Sequence, residues 1–236
     1  MLSLRIAAAV LILLSVVAFL SFAGTDFSYL SVISIERRAP INYQADLKIT
    51  FENERVDTFP NGFAAYISGR GEEGVWKIVR EETAPSGSLV LGQTSQDPTP
   101  AHFPILVLNA SSYSDGKFSV RVRLVAGDAD RAGGIVFKFQ DPQNYYVARI
   151  NALEDNIQLY RFIEGRRTAL GSAEVSVSSN QWHLLEVELF GPTIRCHVDG
   201  KLLIEKEDGG MISGKVGLWT KSDSIVYFDD FIIYKR

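Results

Sequence analysis

Hydrophobic and polar positions alternate along most of this chain beyond its first two dozen residues. The pattern is clearest in residues 133–165, GGIVFKFQDPQNYYVARINALEDNIQLYRFIEG. There Ile135, Phe137 and Phe139 alternate with Val136, Lys138 and Gln140. Asp141-Pro142-Gln143-Asn144 breaks the run, because proline fixes φ and Asp and Asn bond their own backbone. A second run covers residues 145–151 and is turned back by Glu154-Asp155-Asn156; a third covers residues 157–163. Period-two runs bounded by turn residues predict an antiparallel meander with one buried face.

Similar runs follow the same rule at residues 47–51, 75–80, 89–93, 104–109, 117–125, 166–170, 173–177, 182–190, 194–198, 201–205, 215–221 and 225–234. In residues 117–125, Phe118, Val120, Val122 and Leu124 oppose Lys117, Ser119, Arg121 and Arg123, which predicts a half-buried strand with a basic outer row. Asp199-Gly200 sits between two alternating runs and predicts a hairpin closed by a type I′ turn. Residues 69–74 read as a flexible tip. Residues 94–103 read as a loop holding Asp97, two prolines and His102. No helical stripe of useful length follows the N-terminus. Many short strands without helices predict an all-β sandwich or barrel.

The N-terminus is different. Residues 6–23, IAAAVLILLSVVAFLSFA, form an unbroken apolar run after a single positive charge at Arg5. Ser21-Phe22-Ala23 has the small-x-small form of a signal cleavage site, and the run is also long enough to span a bilayer as one apolar helix. A cleaved signal peptide and a retained transmembrane anchor both remain open. Either sends the rest of the chain across the membrane, since the positive end stays inside. The expected organisation is therefore a signal or anchor at 1–23, a linker at 24–45 and a β-domain at 46–236. The expected location is periplasmic or extracellular, with or without a membrane tether.

Composition narrows the function classes. The formal net charge is −4, so no basic excess is available to attract nucleic acid. The single cysteine, Cys196, lies in an alternating run and reads as a packing residue. It allows no intrachain disulfide, and it has no Cys/His partners at metal-ligand spacing.

Several stretches together resemble one family of exported bacterial proteins. They are Ala84-Pro85-Ser86-Gly87 with residues 90–97, residues 141–161, Trp182-His183, Asp199-Gly200-Lys201, and residues 214–224 (GKVGLWTKSDS) with Phe228-Asp229-Asp230. In this order they resemble the concanavalin A-like lectin/glucanase superfamily, in particular laminin-G-like jelly rolls near the 3-keto-disaccharide hydrolase family. The resemblance spans about residues 51–234. It implies a jelly roll of two antiparallel sheets, one of them concave, and glycan binding or hydrolysis in the concave face. It also implies a structural calcium ion that clips the first and last strands.

Four groups of residues carry candidate chemistry. Retaining glycoside hydrolysis needs two carboxylates about 5–5.5 Å apart. Glu186-Val187-Glu188 places two on one strand face, but the E-x-D-x-x-E run of laminarinase-type enzymes is missing, so these glutamates read as a solvated outer row and no catalytic residue is assigned. The second group is a polar and aromatic stripe on the concave face: Trp219 and Lys221, with Gly217 beside them leaving space, and Lys138, Tyr146, Arg149, Asn151 and Tyr160 from the meander. Aromatic faces stack on sugar rings while Lys, Arg and Asn bond hydroxyls. Alternation alone leaves open whether Arg149 or Ala148 faces outward, because a bulge reverses the faces. The third group is the loop rim, Gln93, Asp97 and His102, of which Gln93 and His102 are the expected ligand contacts. The fourth is Glu52 after the first strand and Asp230, beside Asp229, in the last; their hard oxygens suit calcium. The expected function is a non-catalytic, carbohydrate-binding module whose ligand is a glycan or cell-envelope polysaccharide. A glycoside hydrolase of the 3-keto-disaccharide type and a membrane-anchored accessory subunit are the alternatives.

Overall fold

Alternation produces strands because successive side chains point to opposite faces of a pleated sheet. The computed structural model describes residues 43–235, which form fifteen strands and no helix. They are β1 (Gln44–Ile49), β2 (Phe63–Gly69), β3 (Trp76–Arg80), β4 (Leu89–Gln93), β5 (His102–Leu108), β6 (Gly116–Ala126), β7 (Ala132–Asp141) and β8 (Asn144–Asn151). Then follow β9 (Asn156–Ile163), β10 (Arg166–Glu174), β11 (Trp182–Phe190), β12 (Thr193–Val198), β13 (Lys201–Glu207), β14 (Lys215–Thr220) and β15 (Ile225–Lys235). The apolar run at 6–23 and the linker up to residue 42 lie outside the described residues. The last two residues expected in the linker, Gln44 and Ala45, belong to β1, which pairs with β15. Among the described residues no helix is long and apolar enough to cross a membrane.

The strands make two antiparallel sheets. One has eight strands in the order β13-β12-β11-β6-β15-β4-β3, with β1 also on β15; the other has seven in the order β10-β9-β8-β7-β14-β5-β2. Between them lies a core built from Phe118, Val120, Val122, Leu185, Val187 and Phe228 of the first sheet and Leu106, Ile135, Phe137, Tyr146, Ala148 and Leu218 of the second. The meander is β7-β8-β9 as expected. The β12–β13 turn has Asp199 at φ 49° and Gly200 at φ 78°, the positive pair that a type I′ turn requires.

Three expectations change. Residues 63–69 form β2, an edge strand on β5, where no strand was expected. The two short runs at 166–170 and 173–177 are one strand, β10, whose register shifts between Ala169 and Gly171. In β7, Lys138 has φ 47° and the register shifts between Phe137 and Asp141. This bulge reverses the faces: Phe137 points into the inter-sheet core, and Phe139 joins Val136 on the opposite face. The same faces decide the open question in β8, where Ala148 enters the core and Arg149 does not.

Candidate functional site

The outward face of the seven-stranded sheet is concave, and its own side chains prove it. Neighbouring strands lie about 4.8 Å apart, so β5 and β9, four steps apart in this sheet, would stand about 19 Å apart if it were flat. Yet the rings of Phe103 on β5 and Phe162 on β9 have centroids 5.5 Å apart. Tyr66 on β2 lies 5.0 Å from Phe139 on β7, and the Tyr145 hydroxyl on β8 donates to Ser68 Oγ on β2 at 3.0 Å. The two flanks curl until their side chains meet.

That packing corrects the expectation of an open, polar hollow. A second hydrophobic cluster fills the face: Phe103, Ile105, Val107, Val136, Phe139, Tyr145, Val147, Phe162 and Trp219 are all buried. Trp219 is only 1% exposed. It is in register with Ile105 and Gly134 and stacks on Phe103 at 5.4 Å and 22°. It packs; it offers no free ring to a sugar. Gly217 leaves no space for a ligand either, because a Cβ there would sit 2.1 Å from the Leu106 carbonyl oxygen.

The other expected site residues separate into three places. Tyr146 belongs to the inter-sheet core, where it stacks on Phe137 at 5.4 Å. Its hydroxyl donates to Asp208 Oδ1 at 2.5 Å and accepts from the Met211 N–H. Lys138, on the bulge, is 3% exposed; its ammonium lies 6.0 Å from the Tyr146 ring centroid, and burial pushes it below the ordinary lysine value. Both residues therefore leave the stripe. Gln93 lies in the other sheet, fully buried, with its amide bonded to the backbone of Ser95 and Ser224. His102 opens β5, fully buried; its Nε2–H donates to the Glu72 carbonyl at 2.7 Å. Neither has a surface to give a ligand.

Arg149, Asn151, Tyr160 and Lys221 remain on or beside the concave face. The Arg149 guanidinium is spent on Asn156 Oδ1 and Glu154 Oε2, each at 2.6 Å. Asn151 Nδ2 donates to Asp130 Oδ1 at 2.8 Å, and Lys221 Nζ pairs with Asp130 Oδ2. Lys221 thereby reaches the part of the hollow that stays open, while Asn151, 1% exposed, stays behind Asp130 and offers a ligand nothing.

This open part is a cleft of about 490 Å³ at one end of the concave face, lined by Ser68, Phe103, Asp130, Phe162, Arg167 and Lys221 among others. Its volume is in the range of small-ligand sites. One wall is the loop expected at residues 94–103. Pro98, Pro100 and Ala101 line it, and Asp97 holds it: Oδ1 accepts from the Thr99 hydroxyl and N–H, and Oδ2 accepts from Glu72 N–H. The Thr99 hydroxyl and the two backbone amides hold the Asp97 carboxyl down to about 2. Opposite, Asp223 accepts the backbone N–H groups of Asp128, Ala129 and Asp130. Burial raises this carboxyl, but the three donors outweigh it and leave it below the usual carboxylate range.

Two non-glycine residues lining the cleft have positive φ, Ala101 at 58° and Ser222 at 48°. Backbone strain of this kind persists where surrounding structure over-determines it, and it gathers at functional sites. Sequence reasoning missed Phe103, Phe162, Arg167, Asp130 and Ser68, because only the curl of the sheet brings them together.

At the other side of the molecule, Glu186 is largely covered and paired with Lys117 at 2.6 Å, on the outer face of the eight-stranded sheet. Near the first and last strands, Glu52 Oε1 accepts from the N–H groups of Ser88 and Leu89. Asp230 Oδ1 accepts from the Ser86 hydroxyl and pairs with Lys48. Burial, with Asp230 and Glu52 adding negative charge, pushes Asp229 up to about 6. Among the described residues no group of three or more His, Cys, Asp or Glu side chains is arranged to hold a metal ion.

Comparison with known proteins places the fold. No protein-family model matches the chain. A levanase from Bacillus subtilis is 24% identical over 113 residues, which is 48% of this chain but 17% of the levanase. Among solved structures, the carbohydrate binding module CBM66 from Bacillus subtilis superposes with a TM-score of 0.60 at 18% identity, covering 74% of this chain and 96% of the module. The laminarinase from Rhodothermus marinus superposes with a TM-score of 0.57 at 14% identity, covering 82% of this chain and 98% of the enzyme. By its two stacked antiparallel sheets and these likenesses, the chain has the fold of the concanavalin A-like jelly rolls.

Proposed function

We propose that this chain is an exported, non-catalytic carbohydrate-binding β-sandwich whose ligand seats in the cleft at the end of the concave face. The observation that carries the reading is the cleft itself. It sets an apolar floor at Phe103 and Phe162 beside two serines and a charged rim, the mixture of apolar lining and few polar groups that small-ligand sites use. The likeness to a carbohydrate binding module and a laminarinase over most of the chain supports the substrate class. The apolar run at 6–23 supports export, to the periplasm or the outside, with or without a tether.

A glycosidase, including one of the 3-keto-disaccharide type, has less support. Hydrolysis of this kind uses a pair of carboxylates. Among the described residues lining the cleft the one acid is Asp130, which is committed to Lys221 and Asn151. Glu186 and Glu188 lie on the other sheet.

The test is affinity-gel electrophoresis against a panel of plant and microbial polysaccharides. At least one gel is expected to retard the native chain. An Ala129→Trp variant, which fills the cleft from an exposed position, is expected to run freely while melting at the same temperature. Retardation that survives this substitution moves the site elsewhere, and free migration in every gel removes the reading.

A structural calcium ion at Glu52 and Asp230 belongs to the same proposal. Its support is that both carboxylates reach the turn at residues 86–89, Glu52 through Ser88 and Leu89 and Asp230 through Ser86; calcium would take the place that Lys48 occupies at Asp230. Calcium is expected to raise the melting temperature of the native chain and leave Glu52→Gln unmoved. A melting temperature indifferent to both calcium and chelator removes the ion.

A further inference from the structure

We infer that the sugar held in this cleft carries a carboxylate, as a uronic acid does, and that Arg167 is the residue that reads it. The inference rests on the reading of the cleft as a carbohydrate site. In register, Arg167 on β10 pairs with Phe162 on β9, so its side chain leaves the sheet on the concave face. Its guanidinium lies 4.8 Å from the Tyr160 ring centroid and 5.7 Å from that of Phe103. It thus spans the mouth between the two curled flanks, supported on aromatic faces.

What marks Arg167 is its missing counterion. The other two cations on or beside this face are both paired, Arg149 with Glu154 and Lys221 with Asp130. Among the described residues the Arg167 side chain has no ion pair and no hydrogen bond, and its guanidinium lies over the Tyr160 and Phe103 rings. The one acid lining the cleft, Asp130, is already satisfied by Lys221 and by the Asn151 amide. The cleft therefore carries one uncompensated positive charge.

A guanidinium stacked on rings keeps its in-plane N–H donors free. Those donors match a carboxylate two at a time. Such charge-assisted bonds are roughly twice as strong as bonds to a neutral hydroxyl. A neutral sugar entering the cleft would cover Arg167 without supplying its counter-charge. A uronate supplies it. The whole chain is acidic, with net charge −4, so no general basic excess attracts acidic glycans and the preference is assigned to this position.

The experiment compares two ligands that differ only in the acid: an oligogalacturonate and the same oligosaccharide with its carboxyls reduced to alcohols. Calorimetric titration is run on the native chain, Arg167→Gln and Arg167→Lys. The native chain is expected to bind the acidic form about tenfold more tightly or better, as a charge-assisted pair implies. In Arg167→Gln the two ligands are expected to bind alike, at the native affinity for the neutral form. Arg167→Lys is expected to recover part of the preference and lose part of it, since it keeps the charge without the fork. Arg167 is exposed, and an unchanged thermal melt in both variants shows that folding is intact. Equal binding of both ligands by the native chain, or a preference that persists in Arg167→Gln, overturns the inference and leaves the carbohydrate reading standing. So does retention of neutral glycans alone. Failure to bind any saccharide overturns both.

Discussion

A Trp219→Ala protein is expected to lose about 3–5 kcal/mol of stability, the cost of deleting a large buried side chain from a packed site. For a domain of this size that is a fall in melting temperature of roughly 6–20 °C. The reason is where the ring lies. Trp219 faces away from the inter-sheet core, yet it is 1% exposed and stacked on Phe103 within the second cluster. Its removal leaves a hole between Ile105 and Gly134 that backbone on both sides cannot close. Urea unfolding measures the difference directly. A variant that unfolds like the native chain but no longer binds saccharide would show the ring to be a free binding platform and the hollow to be open.

Gly217→Ala is expected to destabilise by about 3 kcal/mol or more, although it adds a single methyl group. The added carbon would meet the Leu106 carbonyl oxygen at 2.1 Å and Val107 Cα at 2.8 Å. Both are backbone atoms of the neighbouring strand, so no rotamer change relieves the contact and β5 and β14 have to part. Gly209→Ala is the control. Nothing lies within 4 Å of its added carbon, and its unfolding midpoint is expected to stay within about 0.5 kcal/mol of native. Equal behaviour of the two variants would show that β14 is not held this closely to β5.

The meander, the Asp199-Gly200 hairpin and the two-sheet class were legible in the sequence because each depends on residues close in the chain. The Lys138 bulge was not, since period-two alternation runs on unbroken through FKFQ and one positive φ reverses it. The expected polar hollow failed for a related reason. Residues 105–108, Ile-Leu-Val-Leu, and 145–148, Tyr-Tyr-Val-Ala, are apolar on both parities. That is the mark of strands covered on both faces, and it was the available sign that the concave side is filled. The cleft was out of reach altogether. Phe103, Asp130, Phe162, Arg167 and Lys221 stand on separate strands and loops, and alternation states which residues share a face without stating how far that face bends.

The meeting of Tyr66 with Phe139 and of Phe103 with Phe162 has a consequence for how recognition can diversify on this scaffold. Interlocked rings brace the arch of the seven-stranded sheet from within, so its shape owes little to the loops at its mouth. Those loops, 94–101 and 127–130 with the turn at 164–166, are then free to be exchanged for others of different length and chemistry. Each exchange would present a new rim on the same rigid vault.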